Sequence, residues 1–110
     1  MKVYLSGPIT GVNDFEKNFA IAEKYFSGRG HAVENPVKTG AVLKELSGKE
    51  PTWAEYMRED IKTLVDCDAI AMLPGWGDSR GARLERQVAD ALGLIETRAP
   101  AYLYGGTEAD

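Results

Sequence analysis

A chain of 110 residues has room for one compact domain, and its apolar fraction of 44% and charged fraction of 27% are typical of soluble globular proteins. The net charge of −4 argues against sequence-independent binding to a DNA or RNA backbone, so no nucleic acid polymer is expected as a partner. One cysteine and one histidine provide neither an internal disulfide nor a metal cluster.

The N-terminus lacks the apolar run of a signal peptide, and no stretch approaches the roughly 20 apolar residues of a membrane span. We therefore expect a cytoplasmic protein without membrane contact.

The first strand-and-helix unit begins at the N-terminus. Residues 2–6 form a short apolar run that stops at Gly7-Pro8, which predicts a buried strand. Asp14 is a suitable N-cap for a helix that extends to about Gly28 and carries an apolar face at helical spacing. Residues 31–35 then predict a second strand, which ends before Pro36.

The second half of the chain repeats this alternation. Residues 36–51 combine turn formers with weak periodicity, which predicts a loop with at most one helical turn, long enough to act as a lid. Thr52 and Glu55 have the spacing of a capping box and predict a second helix to about Val65. Residues 69–73 predict a third strand, and residues 80–92 predict a third helix. Residues 94–95 and 101–104 could each form a last strand, and residues 105–110 are expected to fray.

Strands that alternate with helices predict an α/β fold for residues 1–104, a single domain in which helices cover both faces of a parallel sheet of four or five strands. In such sheets, ligands bind beyond the carboxyl ends of the strands, near the point where the strand order reverses. The predicted site therefore comprises residues 6–11, the loop after Asn35 and residues 74–81.

Glu85 is the most informative residue of the third helix. At about 100° per residue, the inward stripe of this helix is apolar and consists of Leu84, Val88, Ala91 and Leu92. Glu85 falls inside this apolar arc, whereas most helix-face glutamates are solvated. A carboxylate that faces a sheet is costly unless it has a partner or lines a cavity, and the position at the carboxyl edge favours the cavity.

Two aspartates have alternative interpretations. Asp60 lies at an angle between Trp53 and Tyr56 on the second helix, which fits either a buried carboxylate bonded to backbone or a tyrosine hydroxyl, or a direct role in the site. Asp68 immediately precedes the third strand, where spacing alone favours a capping or turn role.

Residues 75–81 connect the third strand to the helix of Glu85. Ser79 or Asp78 can N-cap that helix, and the small Gly81 leaves the backbone N–H groups of its first turn accessible to a phosphate or a sugar hydroxyl. The segment matches neither the P-loop nor the dinucleotide fingerprint. Trp76 could stack on a base, although packing is the commoner role of such a residue.

Four motifs occur in order within residues 1–93: Tyr4-Leu5-Ser6-Gly7-Pro8, Asp60 in a helix, Cys67-Asp68-Ala69-Ile70, and Ser79-Arg80-Gly81-Ala82-Arg83-Leu84-Glu85. Together they resemble the nucleoside 2-deoxyribosyltransferase superfamily, which includes the 2′-deoxynucleoside 5′-phosphate N-hydrolases, and they look most like its small phage and bacterial members. The resemblance implies a flavodoxin-like (Rossmann-like) three-layer sandwich.

The resemblance also implies roles for individual residues. Glu85 would be the nucleophile, Tyr4 would hydrogen-bond and orient it, and Asp68 would act as the acid near the base. Ser79, six residues before Glu85, matches a position that contacts a 5′-phosphate. The remaining expected substrate-binding residues are Ser6, Gly7, Pro8, Ile9, Asp60, Gly75, Trp76, Asp78 and Gly81. One departure is Arg86-Gln87 after the glutamate, where the transferases commonly have Leu-Gly or a similar small pair.

The expected function is therefore cleavage of the N-glycosidic bond of a nucleoside or nucleoside 5′-monophosphate through a covalent glycosyl-glutamate, by hydrolysis or base exchange, without a cofactor or metal. In the transferases a neighbouring subunit completes each site, so the resemblance implies a homodimer or larger homo-oligomer. Two alternatives stay open: a non-catalytic nucleotide-binding module, and an NAD glycohydrolase-like enzyme, because other flavodoxin-like domains also use a pocket glutamate.

Overall fold

The computed structural model describes residues 1–105 of the chain. Its strands are β1 (Lys2–Ser6), β2 (Ala32–Glu34), β3 (Ala69–Met72) and β4 (Ile95–Thr97), and its α-helices are α1 (Phe15–Ser27), α2 (Pro36–Ser47), α3 (Trp53–Leu64) and α4 (Arg80–Ala91). Two short 3-10 helices cover Trp76–Asp78 and Ala101–Tyr104. Apart from Gly105, the tail expected to fray lies outside the described residues.

The four strands form one parallel sheet in the order β2-β1-β3-β4. The chain moves from β1 to one neighbour and then crosses back to β3 on the other side, so the strand order reverses between β1 and β3. Ser6 and Met72 are paired at the carboxyl ends of these two central strands. This arrangement confirms the predicted α/β, flavodoxin-like three-layer fold.

Alternation along β1 decides which layer each side chain enters, because successive side chains of a strand point to opposite faces. Val3 and Leu5 enter the core that packs against α1. Tyr4 points to the opposite face, into the core shared with α3 and α4. Ser6 follows the direction of Tyr4 and reaches the same helix, α4.

The prediction of a loop over residues 36–51 was wrong, because most of this segment forms α2. The side chain of Asn35 caps the helix by accepting a hydrogen bond from the Val37 amide at 3.0 Å, and Pro36 occupies the first turn. Gly48, with φ of 72°, ends the helix in the left-handed conformation. Only Pro36 of α2 is buried, which explains why its apolar periodicity is weak.

Other local expectations need smaller corrections. Residues 101–104 form a 3-10 helix and not a strand, and β4 begins at Ile95. Asp14 occupies the N-cap position of α1 but makes no side-chain capping hydrogen bond. On α4, Ala91 and Leu92 are exposed, and the buried residues of this helix are Ala82, Glu85 and Ala89. The capping box of Thr52 and Glu55 is confirmed.

Within the described part of the chain, no helix has the length and apolarity that crossing a bilayer requires.

Candidate active site

A cavity of about 780 Å³ lies beyond the carboxyl end of β1, between α2, α3 and the start of α4. Its volume falls in the range of small-molecule binding sites. The cavity is lined by segments after β1, along α2 and α3, and at the start of α4: Gly7, Pro8, Ile9, Thr10, Phe15, Glu16, Pro36, Val37, Gly40, Ala41, Lys44, Glu50, Trp53, Tyr56, Met57, Asp60, Asp78, Ser79, Arg80, Gly81, Ala82 and Glu85.

Glu85 is buried at the inner wall of this cavity, with 5% of its surface exposed. Two hydroxyl groups of β1 donate hydrogen bonds to its carboxylate. The Tyr4 hydroxyl donates to Oε2 at 2.7 Å, and Ser6 Oγ donates to Oε1 at 2.6 Å. Each carboxylate oxygen keeps a second lone pair, so these bonds fix the orientation of the group without exhausting its acceptor capacity.

Burial raises the pKa of Glu85 to about 7, although the hydrogen bonds from Ser6 and Tyr4 act in the opposite direction by stabilising the carboxylate. Burial and the neighbouring Glu85 charge also raise the pKa of Tyr4 well above its ordinary value. Tyr4 therefore remains a hydrogen-bond donor at neutral pH. The Glu85 carboxylate is therefore oriented by two hydroxyl donors, from Tyr4 and Ser6, that keep their protons in the physiological pH range.

Asp60 of α3 lies beside Glu85 and also lines the cavity. Burial is the largest cause that raises the pKa of Asp60, followed by the charge of Glu85 and a hydrogen bond between the two carboxyl groups, and together they bring it to about 8. Two adjacent carboxyl groups in a site of low polarity cannot both ionise easily, so they share one proton near neutral pH. Such a pair provides one carboxylate and one carboxylic acid.

The first turn of α4 forms another wall of the cavity. Ser79 Oγ accepts a hydrogen bond from the Ala82 amide at 3.2 Å and thereby caps the helix. The Arg80 guanidinium lies 3.8 Å from the centre of the Trp53 ring, which holds this cation at the cavity. A β-carbon at Gly81 would lie 3.2 Å from Met57 Sδ, so α4 approaches α3 closely at this point.

Comparison with known protein families matches residues 1–96 to a domain of unknown function, DUF4406. The chain belongs to the DUF4406 family. No curated protein matches it. The matched residues include β1, α3 and α4, so the buried carboxyl pair and both hydroxyl donors belong to the DUF4406 domain.

In this DUF4406 domain, eight of the residues expected from sequence line the cavity, namely Gly7, Pro8, Ile9, Asp60, Asp78, Ser79, Gly81 and Glu85. Tyr4 and Ser6 are buried and do not line the cavity, but their hydroxyl groups donate hydrogen bonds to Glu85, which does. Trp76 does not line the cavity: it packs against the core on the α4 side, with the Arg86 guanidinium 4.7 Å from its ring centre. Gly75, with φ of 82°, forms the turn that lies beside Pro8.

The expectation that Asp68 acts on the base is not supported, because Asp68 lies at the amino end of β3, the opposite edge of the sheet from Glu85. Its Oδ2 accepts a hydrogen bond of 2.8 Å from the Lys2 amide, and its backbone N–H donates to the Lys2 carbonyl. The turn role that spacing alone favoured is the one the structure shows. Asp60 occupies the position beside Glu85 instead.

The segment after Asn35 does line the cavity, as expected, but as the helix α2, and the cavity residues of α3 other than Asp60 were not anticipated from sequence. The two helices contribute Val37, Gly40 and Lys44 from α2 and Trp53, Tyr56 and Met57 from α3. Asn35-Pro36 followed by Gly48 is a start and stop signal that would have predicted α2. Among residues 1–105, no group of three or more His, Cys, Asp or Glu side chains is arranged to hold a metal ion.

Proposed function

We propose that this protein cleaves the N-glycosidic bond of a nucleoside or nucleoside 5′-monophosphate, with Glu85 as the nucleophile. The observation that carries the proposal is a buried glutamate at a cavity, with one hydroxyl donor on each oxygen and a second carboxyl group beside it. A structural glutamate in a core has no need of an adjoining cavity. The motifs around Tyr4, Asp60 and Ser79, which resemble the deoxyribosyltransferase superfamily, support the same function.

The proposed first step is attack of the Glu85 carboxylate on the anomeric carbon of the sugar. A carbon–oxygen bond forms while the carbon–nitrogen bond breaks, and the base leaves with the bonding electron pair. The transition state resembles an oxocarbenium ion, and the product is a glycosyl ester of Glu85. Tyr4 and Ser6 hold the carboxylate at a fixed angle, so little reorganisation is needed as the bond forms.

Asp60 is the proposed proton donor to the departing base. Its raised pKa of about 8 keeps it protonated at neutral pH, whereas Glu85 beside it is ionised in a substantial fraction of molecules. Water or a second base then attacks the glycosyl ester and releases the sugar from Glu85. Asp60, now ionised, takes up the proton of the incoming water or base.

The start of α4 supports a 5′-phosphate on the substrate. Backbone N–H groups at a helix N-terminus favour an anion, and the Arg80 side chain, stacked on Trp53, adds a positive charge at the same wall. We therefore favour nucleoside monophosphates over nucleosides. We also propose a homo-oligomer, on the resemblance alone, and sedimentation of the purified protein would check it.

The decisive experiment incubates the protein with nucleosides, their 5′-monophosphates and NAD, with and without a second base, and follows free base by chromatography. We expect base release from at least one nucleoside or monophosphate, and no release by Glu85→Ala. Asp90→Asn, an exposed acid on the same helix, is the matched control and should retain activity. Wild-type turnover by Glu85→Ala would remove Glu85 from the mechanism. Calorimetric binding without base release over hours would instead favour a binding module, and nicotinamide release from NAD alone would favour an NAD glycohydrolase.

A further inference from the structure

A cluster of three polar side chains, Lys44, Glu50 and Tyr56, lies on the wall of the cavity formed by α2 and α3. The Tyr56 hydroxyl donates a hydrogen bond of 2.7 Å to Glu50 Oε2, and Lys44 Nζ lies 3.1 Å from Glu50 Oε1. These contacts lower the pKa of Glu50, so it is a carboxylate at neutral pH. Neither the nucleophile nor the proposed proton donor involves these three residues.

The position of the cluster relative to Asp60 follows from the geometry of α3. Tyr56 precedes Asp60 by four residues on the same cavity-facing side of the helix, which places the two about one turn, or roughly 6 Å, apart along the axis. In the proposed reaction Asp60 contacts the nitrogen end of the scissile bond. The far edge of the base then extends along α3 towards Tyr56 and its partner Glu50.

The cluster presents a defined pattern of donors and acceptors to that edge. Lys44 provides N–H donors, and each Glu50 oxygen retains an unused lone pair beside its present hydrogen bond. The sequence of groups is therefore one donor followed by two acceptors. We propose that this cluster makes the site selective for guanine, whose far edge carries a carbonyl oxygen, a ring N–H and an amino group in the complementary order.

Other bases match the cluster less well. Hypoxanthine has the carbonyl and the ring N–H but lacks the amino group, so one Glu50 oxygen loses its donor. Thymine carries a second carbonyl oxygen, which would face the carboxylate. Adenine presents its amino group where Lys44 requires an acceptor. A carboxylate that accepts hydrogen bonds from two adjacent N–H groups forms a bidentate, charge-assisted pair. Guanine can form this pair and hypoxanthine cannot, so these two bases give the sharpest comparison.

This inference rests on the proposed function for the placement of the base, and its test uses two independent measurements. Binding of the 5′-monophosphates of 2′-deoxyguanosine, 2′-deoxyinosine, 2′-deoxyadenosine and thymidine is measured by calorimetry on Glu85→Gln. Initial rates of base release are measured on the wild type, so the result does not depend on the folding of one variant. Because the Lys44 and Glu50 side chains are 61% and 63% exposed, we expect deoxyguanosine monophosphate to bind about fivefold more tightly than its deoxyinosine analogue, the effect of one hydrogen bond of ordinary strength.

The matched variants are Glu50→Gln, which removes the charge from the cluster, and Glu45→Gln, an exposed residue of α2 that does not line the cavity. We expect Glu50→Gln to reduce the preference to about twofold or less and Glu45→Gln to preserve it. Equal binding of the deoxyinosine analogue, a guanine preference that survives Glu50→Gln, or no binding of any nucleotide would overturn the inference. Base release without a preference for guanine would support the proposed function and contradict the guanine selectivity. Guanine-selective binding with no base released by the wild type would support the selectivity and contradict the proposed function.

Discussion

The hydroxyl of Tyr4 donates a hydrogen bond of 2.7 Å to Oε2 of Glu85, and the two residues are separated by 81 positions in sequence. Ser6, two residues after Tyr4 on the same strand face, donates to the other oxygen of the same carboxylate. One strand therefore orients both oxygens of a glutamate that a distant helix presents to the cavity.

Replacing Glu85 by Gln should stabilise the protein at high pH and have little effect at low pH. The pKa of Glu85 is raised to about 7 from its ordinary 4.5, so the folded state holds a proton more tightly than the unfolded state. Its contribution to stability is fully present below pH 4.5 and is lost as the pH rises through 7. We expect the melting temperature of Glu85→Gln to rise relative to wild type between pH 4 and pH 8, by an amount equivalent to at most about 3 kcal/mol.

Thermal melts in buffers of constant ionic strength measure this difference. Asp90→Asn, which alters an exposed carboxyl on the same helix, serves as the control and should follow the wild type at every pH. A constant offset between Glu85→Gln and wild type across the pH range would contradict the raised pKa.

Replacing Tyr4 by Phe should move the acid limb of the pH–activity profile to higher pH. The Tyr4 hydrogen bond lowers the pKa of Glu85, so its loss makes the carboxylate harder to form. A hydrogen bond to a charged group corresponds to a shift of about one pKa unit or more, and we expect activity at pH 6 to fall about tenfold. Tyr102→Phe changes an exposed tyrosine and should leave the profile unaltered. An unchanged acid limb in Tyr4→Phe would show that the bond does not tune Glu85.

Replacing Asp60 by Asn should remove the alkaline limb of the same profile. Base release requires ionised Glu85 and protonated Asp60, so we expect wild-type activity to rise towards pH 7 and to fall above pH 8. Loss of a general acid typically costs about 100-fold or more in rate. Asp60→Asn should release a base that leaves without protonation at a rate closer to that of the wild type. Steady-state rates of base release across pH, with substrates of both kinds, measure this difference. Arg58→Gln, which changes an exposed residue of α3 that is not a cause of the raised pKa of Asp60, is the control. An alkaline limb that persists in Asp60→Asn would assign the acid role elsewhere.

Replacing Gly7 by Ala should destabilise the fold, because a β-carbon at this position would lie 2.6 Å from Cβ of Leu73. Gly7 and Leu73 immediately follow the central strands β1 and β3, which limit how far the backbone can shift, so we expect a loss of about 1–3 kcal/mol. Denaturant unfolding gives the value directly. Gly77→Ala is a matched change, since a β-carbon there meets nothing within 4 Å, and it should be tolerated. Equal stabilities of the two variants would contradict the close contact.

The sequence alone was sufficient to predict the α/β alternation, the inward orientation of Glu85 and the cap of α3. These features depend on local patterns: apolar runs that stop at Gly-Pro pairs, the angle of one residue on a helix, and a Thr-to-Glu spacing of three residues. Each pattern specifies how a residue is oriented within its own element, which does not require knowledge of the rest of the chain.

The tertiary structure decided which of these elements meet. Asp60 and Asp68 both looked relevant from sequence, and the structure places Asp60 beside Glu85, whereas Asp68 binds the Lys2 amide at the amino end of the sheet. The segment after Asn35 was expected at the site, but its helical form was missed, because α2 buries little and so leaves a weak apolar signal. Contacts between distant segments depend on packing of the whole chain, and a local pattern does not contain that information.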